Sequence, residues 1–191
     1  AALARVERLG GILREVDYTL FDRAQRMLYE APFLAERSAS VAPIITGREH
    51  LLHPVTREIM ATASHWTAIE AYQAIHALAA LKRDARRLLA GTDIFLVPTT
   101  PTIYTVAEVE ADPIRLNARL GTYTNFVNLM GMCGVAIPMG FRPDGMPLGL
   151  TVLAGPFEDA KAASFAAALQ ADFDLPMGAA GNGLPRLTRA A

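Results

Sequence analysis

Apolar residues in the first half of the chain recur mostly at the spacing of helices. Residues 1–9 carry apolar side chains three residues apart, which is typical of an amphipathic helix. Asp17 or Thr19 can cap a second helix that continues to Glu30. Pro32 then breaks the pattern, because proline is tolerated in the first turn of a helix but not in its interior. Further helices are predicted over residues 33–42, 54–63 and 68–90.

Short apolar runs bounded by glycine or proline predict β-strands. They cover residues 12–16, 94–97, 135–137 and 148–153. In the second half, Asp112 and Pro113 form an N-cap and N1 pair for one helix. Two more helices are predicted over residues 121–129 and 159–171. This mixture of helices and strands predicts an α/β fold class.

The longest predicted helix has a clear start and a clear stop. Thr67 and Glu70 have the spacing of a capping box, and Gly91 is a natural C-terminal stop. Its apolar positions are expected to be Ile75, Leu78, Leu81, Leu88 and Leu89. Near its end lie four cations: Lys82, Arg83, Arg86 and Arg87. They can form an anion-binding patch, or a solvated face in which the cations simply favour the helix C-terminus.

Composition narrows the class of protein. With 18 Lys and Arg against 19 Asp and Glu, the net charge is −1, and 52% of the residues are hydrophobic. A packed domain is therefore expected, without the basic surplus of a nucleic-acid-binding protein. The single cysteine, Cys133, forms no internal disulfide, which is typical of a cytoplasmic protein. The run from Leu129 to Phe141 is too short to span a membrane, so no membrane partner is expected.

The start of the chain suggests a piece of a longer polypeptide. Residue 1 is alanine, no signal-peptide pattern is present, and the sequence opens inside a helical pattern.

Nucleophiles and metal ligands are sparse. None of the serines lies in a G-x-S-x-G frame, and neither Lys82 nor Lys161 has a serine in a catalytic arrangement. The histidines lack metal-ligand spacing, and Cys133 lies in an apolar segment without a nearby cation. The serines are Ser38, Ser40, Ser64 and Ser164, and the histidines are His50, His53, His65 and His76. The residues alone therefore indicate neither a catalytic residue nor a metal site.

Tyr29 and Arg37 are the more promising polar pair, because Pro32 breaks the helix between them. Such a break can direct both side chains into one pocket. An arginine binds a carboxylate through two parallel hydrogen bonds, and a tyrosine hydroxyl adds a third. The alternative is structural: Arg37 pairs with Glu30 or Glu36, and Tyr29 packs in the core.

Two long segments resemble a known enzyme family. Residues 93–141 read DIFLVPTTPTIYTVAEVEADPIRLNARLGTYTNFVNLMGMCGVAIPMGF, and residues 144–159 read DGMPLGLTVLAGPFED. Together they resemble the C-terminal half of the amidase signature family. The strings PTTPTIYTVAEVEADPIRLN and LGTYTNFVN are similar to its allophanate hydrolase branch. Residues that match the general family pattern are Asp93, Pro98, Thr99, Asn125, Pro138, Gly140, Gly145, Pro147, Gly149 and Gly155.

The resemblance implies an architecture. Residues 1–175 are expected to be the C-terminal portion of a single amidase domain, with a mixed sheet flanked by helices. A missing N-terminal half would complete the sheet. Residues 176–191, rich in glycine and proline, are expected to form a flexible tail.

The resemblance also implies a chemistry. Members of the family use a Ser-Ser-Lys triad within a segment rich in glycine and serine, and no such segment occurs in this chain. No catalytic residue is carried over, and no metal or organic cofactor is implied. The allophanate hydrolase branch has a substrate-contacting Tyr and Arg in the context L-Y-E-x-P-x-x-A-E-R, which Tyr29 and Arg37 match.

Several functions and partners follow as expectations. In the complete enzyme the implied reaction is hydrolysis of allophanate, a small amide with a carboxylate, to ammonia and carbon dioxide. The missing half of the domain is an expected partner, and a homodimer stays open. The alternatives are another amidase, such as the A component of an amidotransferase, and a non-catalytic scaffold or interaction fragment.

Overall fold

In a computed structural model, residues 2–175 are described, and they divide into two compact units. The predicted tail, residues 176–191, lies outside the described residues. The helices are α1 (Ala2–Arg8), α2 (Thr19–Glu30), α3 (Phe33–Ile45), α4 (Pro54–Ala61), α5 (Ala68–Leu88), α6 (Val106–Ala111), α7 (Pro113–Leu120), α8 (Asn125–Met130) and α9 (Asp159–Phe173). The strands are β1 (Phe95–Pro98), β2 (Cys133–Phe141) and β3 (Pro147–Ala154). The α/β fold class is thus confirmed.

The first unit contains the sheet and comprises residues 2–15, 92–99 and 132–175. Its strands have the order β1-β3-β2, and both pairings are antiparallel. The mixed sheet implied by the resemblance concerns the complete domain; the pairings among the described residues are antiparallel only. Helix α9 packs on β2 and β3, and α1 packs on α9. The core of this unit is formed by Ala2, Val6, Ile137, Leu150, Val152, Ala154, Ala162, Ala166, Leu169 and Phe173.

Ion pairs hold α1 on α9. The Arg5 and Arg8 guanidinium groups bind the Asp172 carboxylate at 2.7 Å and 2.9 Å, and the Arg5 guanidinium lies 4.6 Å from the centre of the Phe173 ring. These hydrogen bonds and charges lower the pKa of Asp172 below its ordinary value.

The second unit is helical and comprises residues 16–91 and 100–131. An aromatic cluster joins α2 to α8: Phe21 and Phe126 are fully buried, with ring centres 5.0 Å apart. Tyr18 stacks on Phe21, and its hydroxyl donates to the Thr122 carbonyl at 2.6 Å. Burial raises the pKa of the Tyr18 phenol. The cluster therefore fixes the start of α2, the helix that carries Tyr29.

Helix boundaries largely follow the predicted signals. The capping box predicted at Thr67 and Glu70 is confirmed, and Pro54 occupies the first turn of α4. A second capping box, Thr105 with Glu108, starts α6, a helix that the sequence pattern did not predict. Helix α8 begins at Asn125 rather than Gly121, because residues 121–124 form a turn.

Two predictions for the first half of the chain were wrong. Residues 12–16 form no strand, and Ile12 is 99% exposed, because no neighbouring strand pairs with them in residues 2–175. In α5, Leu78 and Leu81 are buried as expected, but Ile75 is 51% exposed. Ile75 lies about 90° around the helix from the midpoint of those two buried positions, so it lies beside the buried face rather than within it.

The predicted strand near Val135 is longer than expected. Strand β2 continues through Pro138 to Phe141, with an irregularity between Pro138 and Gly140. Proline is accommodated there because β2 is at the edge of the three-stranded sheet among the described residues.

Candidate functional site

Tyr29 and Arg37 lie on consecutive helices of the second unit. Helix α2 ends one residue after Tyr29, and α3 begins at Phe33, four residues before Arg37. Between the helices, Ala31 is extended, with φ −141° and ψ 168°, and Pro32 precedes the first residue of α3. The helix break predicted at Pro32 is therefore confirmed.

Tyr29 and Arg37 do not have the structural roles that were the alternative to substrate binding. Tyr29 is half-buried and Arg37 is exposed, so Tyr29 is not part of the buried core. Neither the Tyr29 hydroxyl nor the Arg37 guanidinium forms a hydrogen bond or ion pair with another described residue. Arg37 thus pairs with neither Glu30 nor Glu36. Both polar groups are available to bind a ligand.

A groove on α3 is separate from this pair. It has a volume of about 420 Å³ and is lined by Ala35, Ser38, Ala39, Ala42, Met60, Ala61, Ala63 and Ser64. The lining residues of α3 form one face, and Arg37, two positions after Ala35, is about 200° around the helix from that residue. The groove is small-residue packing space on the opposite side of α3, and it offers no cation to a carboxylate.

The other candidate side chains form hydrogen bonds or ion pairs within the protein. The hydroxyl groups of Ser38, Ser40 and Ser64 donate to backbone carbonyls, at 3.5 Å, 2.9 Å and 3.0 Å. The Cys133 thiol donates to the Gly155 carbonyl at 3.2 Å, and the Lys161 ammonium pairs with Glu158. Residues 2–175 hold no group of three or more His, Cys, Asp or Glu side chains that could bind a metal ion.

Several residues of the family pattern have structural positions. The Gly155 N–H donates to Glu158 Oε2 at 2.9 Å, and a Cβ on Gly155 would lie at the same distance from that oxygen. The hydrogen bonds from Lys161 and from the Gly155 amide lower the pKa of Glu158. Gly155 therefore leaves room for the Glu158 carboxylate beside it, between β3 and α9.

Two buried polar atoms were missed by sequence reasoning. Tyr104 Oη and Asn125 Nδ2 have no hydrogen-bond partner among the described residues. The Asn125 side chain lies against the Cα of Gly121, where a Cβ would collide with it. Tyr104 falls within the branch-specific string and Asn125 within the family pattern, but spacing gave no signal that either would be unpartnered.

Comparison with known proteins identifies the family. The amidase family model matches residues 1–162. The chain belongs to the amidase family.

Relatives within that family include allophanate hydrolases. Residues of this chain are 32% identical over 160 positions to the urea amidolyase of Saccharomyces cerevisiae, covering 83% of this chain and 9% of the relative. The solved allophanate hydrolase of Kluyveromyces lactis superposes with a TM-score of 0.82 at 30% identity, over 88% of this chain and 28% of that chain. The chain therefore spans less than a third of the length of either relative.

A second group of relatives matches a shorter region. The A component of the glutamyl-tRNA(Gln) amidotransferase of Syntrophus aciditrophicus is 35% identical over 91 residues, which is 47% of this chain and 19% of the relative.

None of the helices in residues 2–175 is both long and apolar enough to cross a membrane.

Proposed function

We propose that this chain is the carboxylate-recognising part of an allophanate hydrolase. The observation that carries the proposal is the similarity to the Kluyveromyces lactis allophanate hydrolase, 30% identical with a TM-score of 0.82 over 88% of this chain. Two amidotransferase A components match 47% and 65% of this chain, against 83% for the urea amidolyase of Saccharomyces cerevisiae, and this difference favours the allophanate hydrolase assignment.

Tyr29 and Arg37 are proposed to bind the substrate. Allophanate carries a carboxylate at one end and an amide at the other. The exposed Arg37 guanidinium can bind the two carboxylate oxygens through parallel N–H donors, and the half-buried Tyr29 hydroxyl can donate to the same group. The break at Pro32 supports this role, because it separates the two helices that carry these residues.

The nucleophile is proposed to lie elsewhere in the parent polypeptide. This chain has no Ser-Ser pair, and three of its four serines donate to backbone carbonyls. The Ser-Ser-Lys elements that the family uses for acyl transfer would therefore be supplied by a part of the parent polypeptide outside this chain. In that arrangement this chain orients the substrate, and the other part attacks its carbonyl carbon.

The remaining expectations become part of the proposal. The proposed partners are the complementary part of the amidase domain and a small amide with a carboxylate. A second copy of the protein, in a homodimer, is a further candidate. A cytoplasmic location accords with the single cysteine.

Substrate discrimination tests the proposal. The full-length protein is assayed for ammonia release from allophanate and from biuret, in which an uncharged carboxamide replaces the carboxylate. We expect a clear preference for allophanate. In Arg37→Ala we expect the preference to collapse, with allophanate turnover falling about ten- to a hundredfold and biuret turnover little changed.

Two outcomes would contradict the proposal. A protein that hydrolyses uncharged amides but not allophanate would be another kind of amidase. If Arg37→Ala lowered both activities equally, together with the melting temperature, Arg37 would have a structural role.

A further inference from the structure

Helix α5 buries one face and leaves the opposite face uncovered. Leu78, Leu81 and Ala85 are 7%, 5% and 5% exposed, and they pack in the helical unit. On the other side, Ile69 and Tyr72 are 71% and 65% exposed, and Ile75, next to Tyr72 on the helix surface, is 51% exposed. Single exposed apolar residues are common on protein surfaces, but three within two turns of one helix form a contiguous patch.

This uncovered face is apolar at one end and basic at the other. At 100° per residue, Ile69, Ile75, Arg83 and Arg86 all lie within about 60° of Tyr72 around the helix axis. The buried residues lie about 120° or more away from Tyr72. We call the face formed by Ile69, Tyr72, Ile75, Arg83 and Arg86 the outer α5 face.

The basic end of the outer α5 face is uncompensated among the described residues. Arg83 and Arg86 are exposed and form no ion pair within residues 2–175, whereas Arg87 pairs with Asp84 at 3.5 Å. Cations favour the last turn of a helix, which accounts for Arg86 in part. That effect does not account for Arg83, which lies further from the end, or for the apolar patch three to four turns earlier.

Two occupants are disfavoured by their charge. Residues 176–191 contain Arg186 and Arg189 but no acidic residue, so this segment would repel the basic end. A second copy, paired antiparallel along the whole outer α5 face, would set Arg83 and Arg86 against the apolar patch of its partner. Neither arrangement supplies carboxylates to the arginines.

The relatives indicate where an occupant can come from. The Kluyveromyces lactis allophanate hydrolase is matched over only 28% of its chain, so most of such a polypeptide lies outside the region that this chain represents. We propose that the outer α5 face is covered by a segment of the parent polypeptide outside these 191 residues. That segment places apolar side chains on Ile69, Tyr72 and Ile75 and carboxylates on Arg83 and Arg86. The inference rests on the proposed function in one respect, namely that the parent contains a longer amidase domain.

Oxidative footprinting of the full-length protein tests the apolar half. The modification rate of the Tyr72 side chain is measured in the native protein and in the same protein in denaturant. We expect Tyr72 to react about tenfold more slowly in the native protein, because docking excludes solvent from the ring. A native rate close to the denatured rate would overturn the proposal. So would protection that appears only at concentrations where the protein dimerises, because a second copy would then be the occupant.

Charge removal tests the basic half. The double variant Arg83→Gln/Arg86→Gln is compared with Arg57→Gln, which removes an exposed cation from α4. We expect the double variant to lower the melting temperature in low salt and the control to leave it unchanged, with the difference lost near about 1 M salt. Equal melting temperatures for all three proteins in low salt would overturn the acidic part of the proposal.

A measurement of activity distinguishes a failure of this docking proposal from a failure of the proposed function. Allophanate hydrolysis is measured in the same preparations. An active enzyme with an accessible Tyr72 would overturn the docking proposal alone. A protein inactive on allophanate with a protected Tyr72 would overturn the proposed function alone.

Discussion

The Cα of Gly149 in β3 lies directly against the side chain of Thr99. A Cβ built on Gly149 would be 2.6 Å from Thr99 Oγ1 and 3.0 Å from Thr99 Cβ. The contact is fixed by hydrogen bonds, since the Thr99 N–H donates to the Gly149 carbonyl at 3.1 Å and the two hydroxyls of Thr99 and Thr151 lie 3.0 Å apart. Two residues of the family pattern, 50 positions apart in the chain, therefore meet at the end of β1.

Gly149→Ala is expected to destabilise the protein. The added methyl group overlaps the Thr99 side chain, whose hydroxyl is held by Thr151, and overpacking of this kind costs about 1–3 kcal/mol. Thermal denaturation of the purified variant measures the loss. In a double-mutant cycle, Thr99→Ala removes the nearer contact atom and is expected to recover part of it. If the two substitutions were additive, the close approach would not be the cause.

Asp172→Asn is expected to destabilise the protein at neutral pH and to have no effect in acid. The ion pairs with Arg5 and Arg8 lower the pKa of Asp172, so they contribute stability above the unfolded-state pKa of about 3.9. That contribution is lost as the pH falls through the lower folded-state pKa. Denaturation of wild type and variant between about pH 2 and pH 7 measures the difference.

The matched control for Asp172 is Asp84→Asn in α5. Asp84 pairs with Arg87 at 3.5 Å, with both side chains more than half exposed, so its removal is expected to change little. A pH-independent loss in Asp172→Asn would indicate that the hydrogen bonds from Arg5, rather than the charge, hold α1 on α9.

The sequence predicted those elements whose local signals agree with their surroundings. Pro32 marks a break, and Thr67 with Glu70 satisfies helix donors locally, so neither depends on distant parts of the chain. Residues 12–16 had a strand pattern but no partner strand in the described part of the chain, and a strand requires one. Ile75 was assigned inward because spacing alone does not separate a core face from a face that another segment covers.

The candidate site was predictable only to the level of residue identity. The helix break and the context of Tyr29 and Arg37 led to the prediction that both side chains bind the substrate; the structure adds that neither pairs with a described neighbour, and their role stays a prediction. Spacing gave no hint of the unpartnered Tyr104 and Asn125, because the burial of a single polar atom depends on tertiary packing, which periodicity does not report.

The isolated 191-residue chain is expected to release no ammonia from allophanate or other amides. Three of its four serines, Ser38, Ser40 and Ser64, donate to backbone carbonyls rather than to a base, and the chain has no Ser-Ser pair. The assay compares purified chain with buffer. Turnover that persists through repurification and disappears on replacement of one serine would show that a nucleophile lies within this chain.

The isolated chain is also expected to associate. The apolar residues exposed on α5, and the two edges that the three-stranded sheet has in the described residues, offer surfaces for self-association. Light scattering and binding of a hydrophobic dye measure this. A monodisperse monomer with a cooperative thermal transition and no dye binding would count against the chain being part of a larger domain.

Conservative substitutions at Tyr29 and Arg37 are expected to separate recognition from charge. Arg37→Lys keeps the positive charge but loses the two parallel donors, so we expect kcat/KM for allophanate to fall in the full-length enzyme even though the net charge is unchanged. Tyr29→Phe removes one hydroxyl donor from a half-buried ring, which costs about 0.5–1.5 kcal/mol when the partner can be resolvated, or about two- to tenfold in kcat/KM. Arg37→Ala, at about 1.5–3 kcal/mol for a charge-assisted contact, is expected to have the largest effect on kcat/KM.

Steady-state kinetics on allophanate and biuret measure this order of effects. The melting temperatures of all variants are expected to stay close to wild type, because Arg37 binds no described residue. Should Arg37→Lys match wild type on allophanate, the site would need only a positive charge, and bidentate recognition of the carboxylate would be the wrong account.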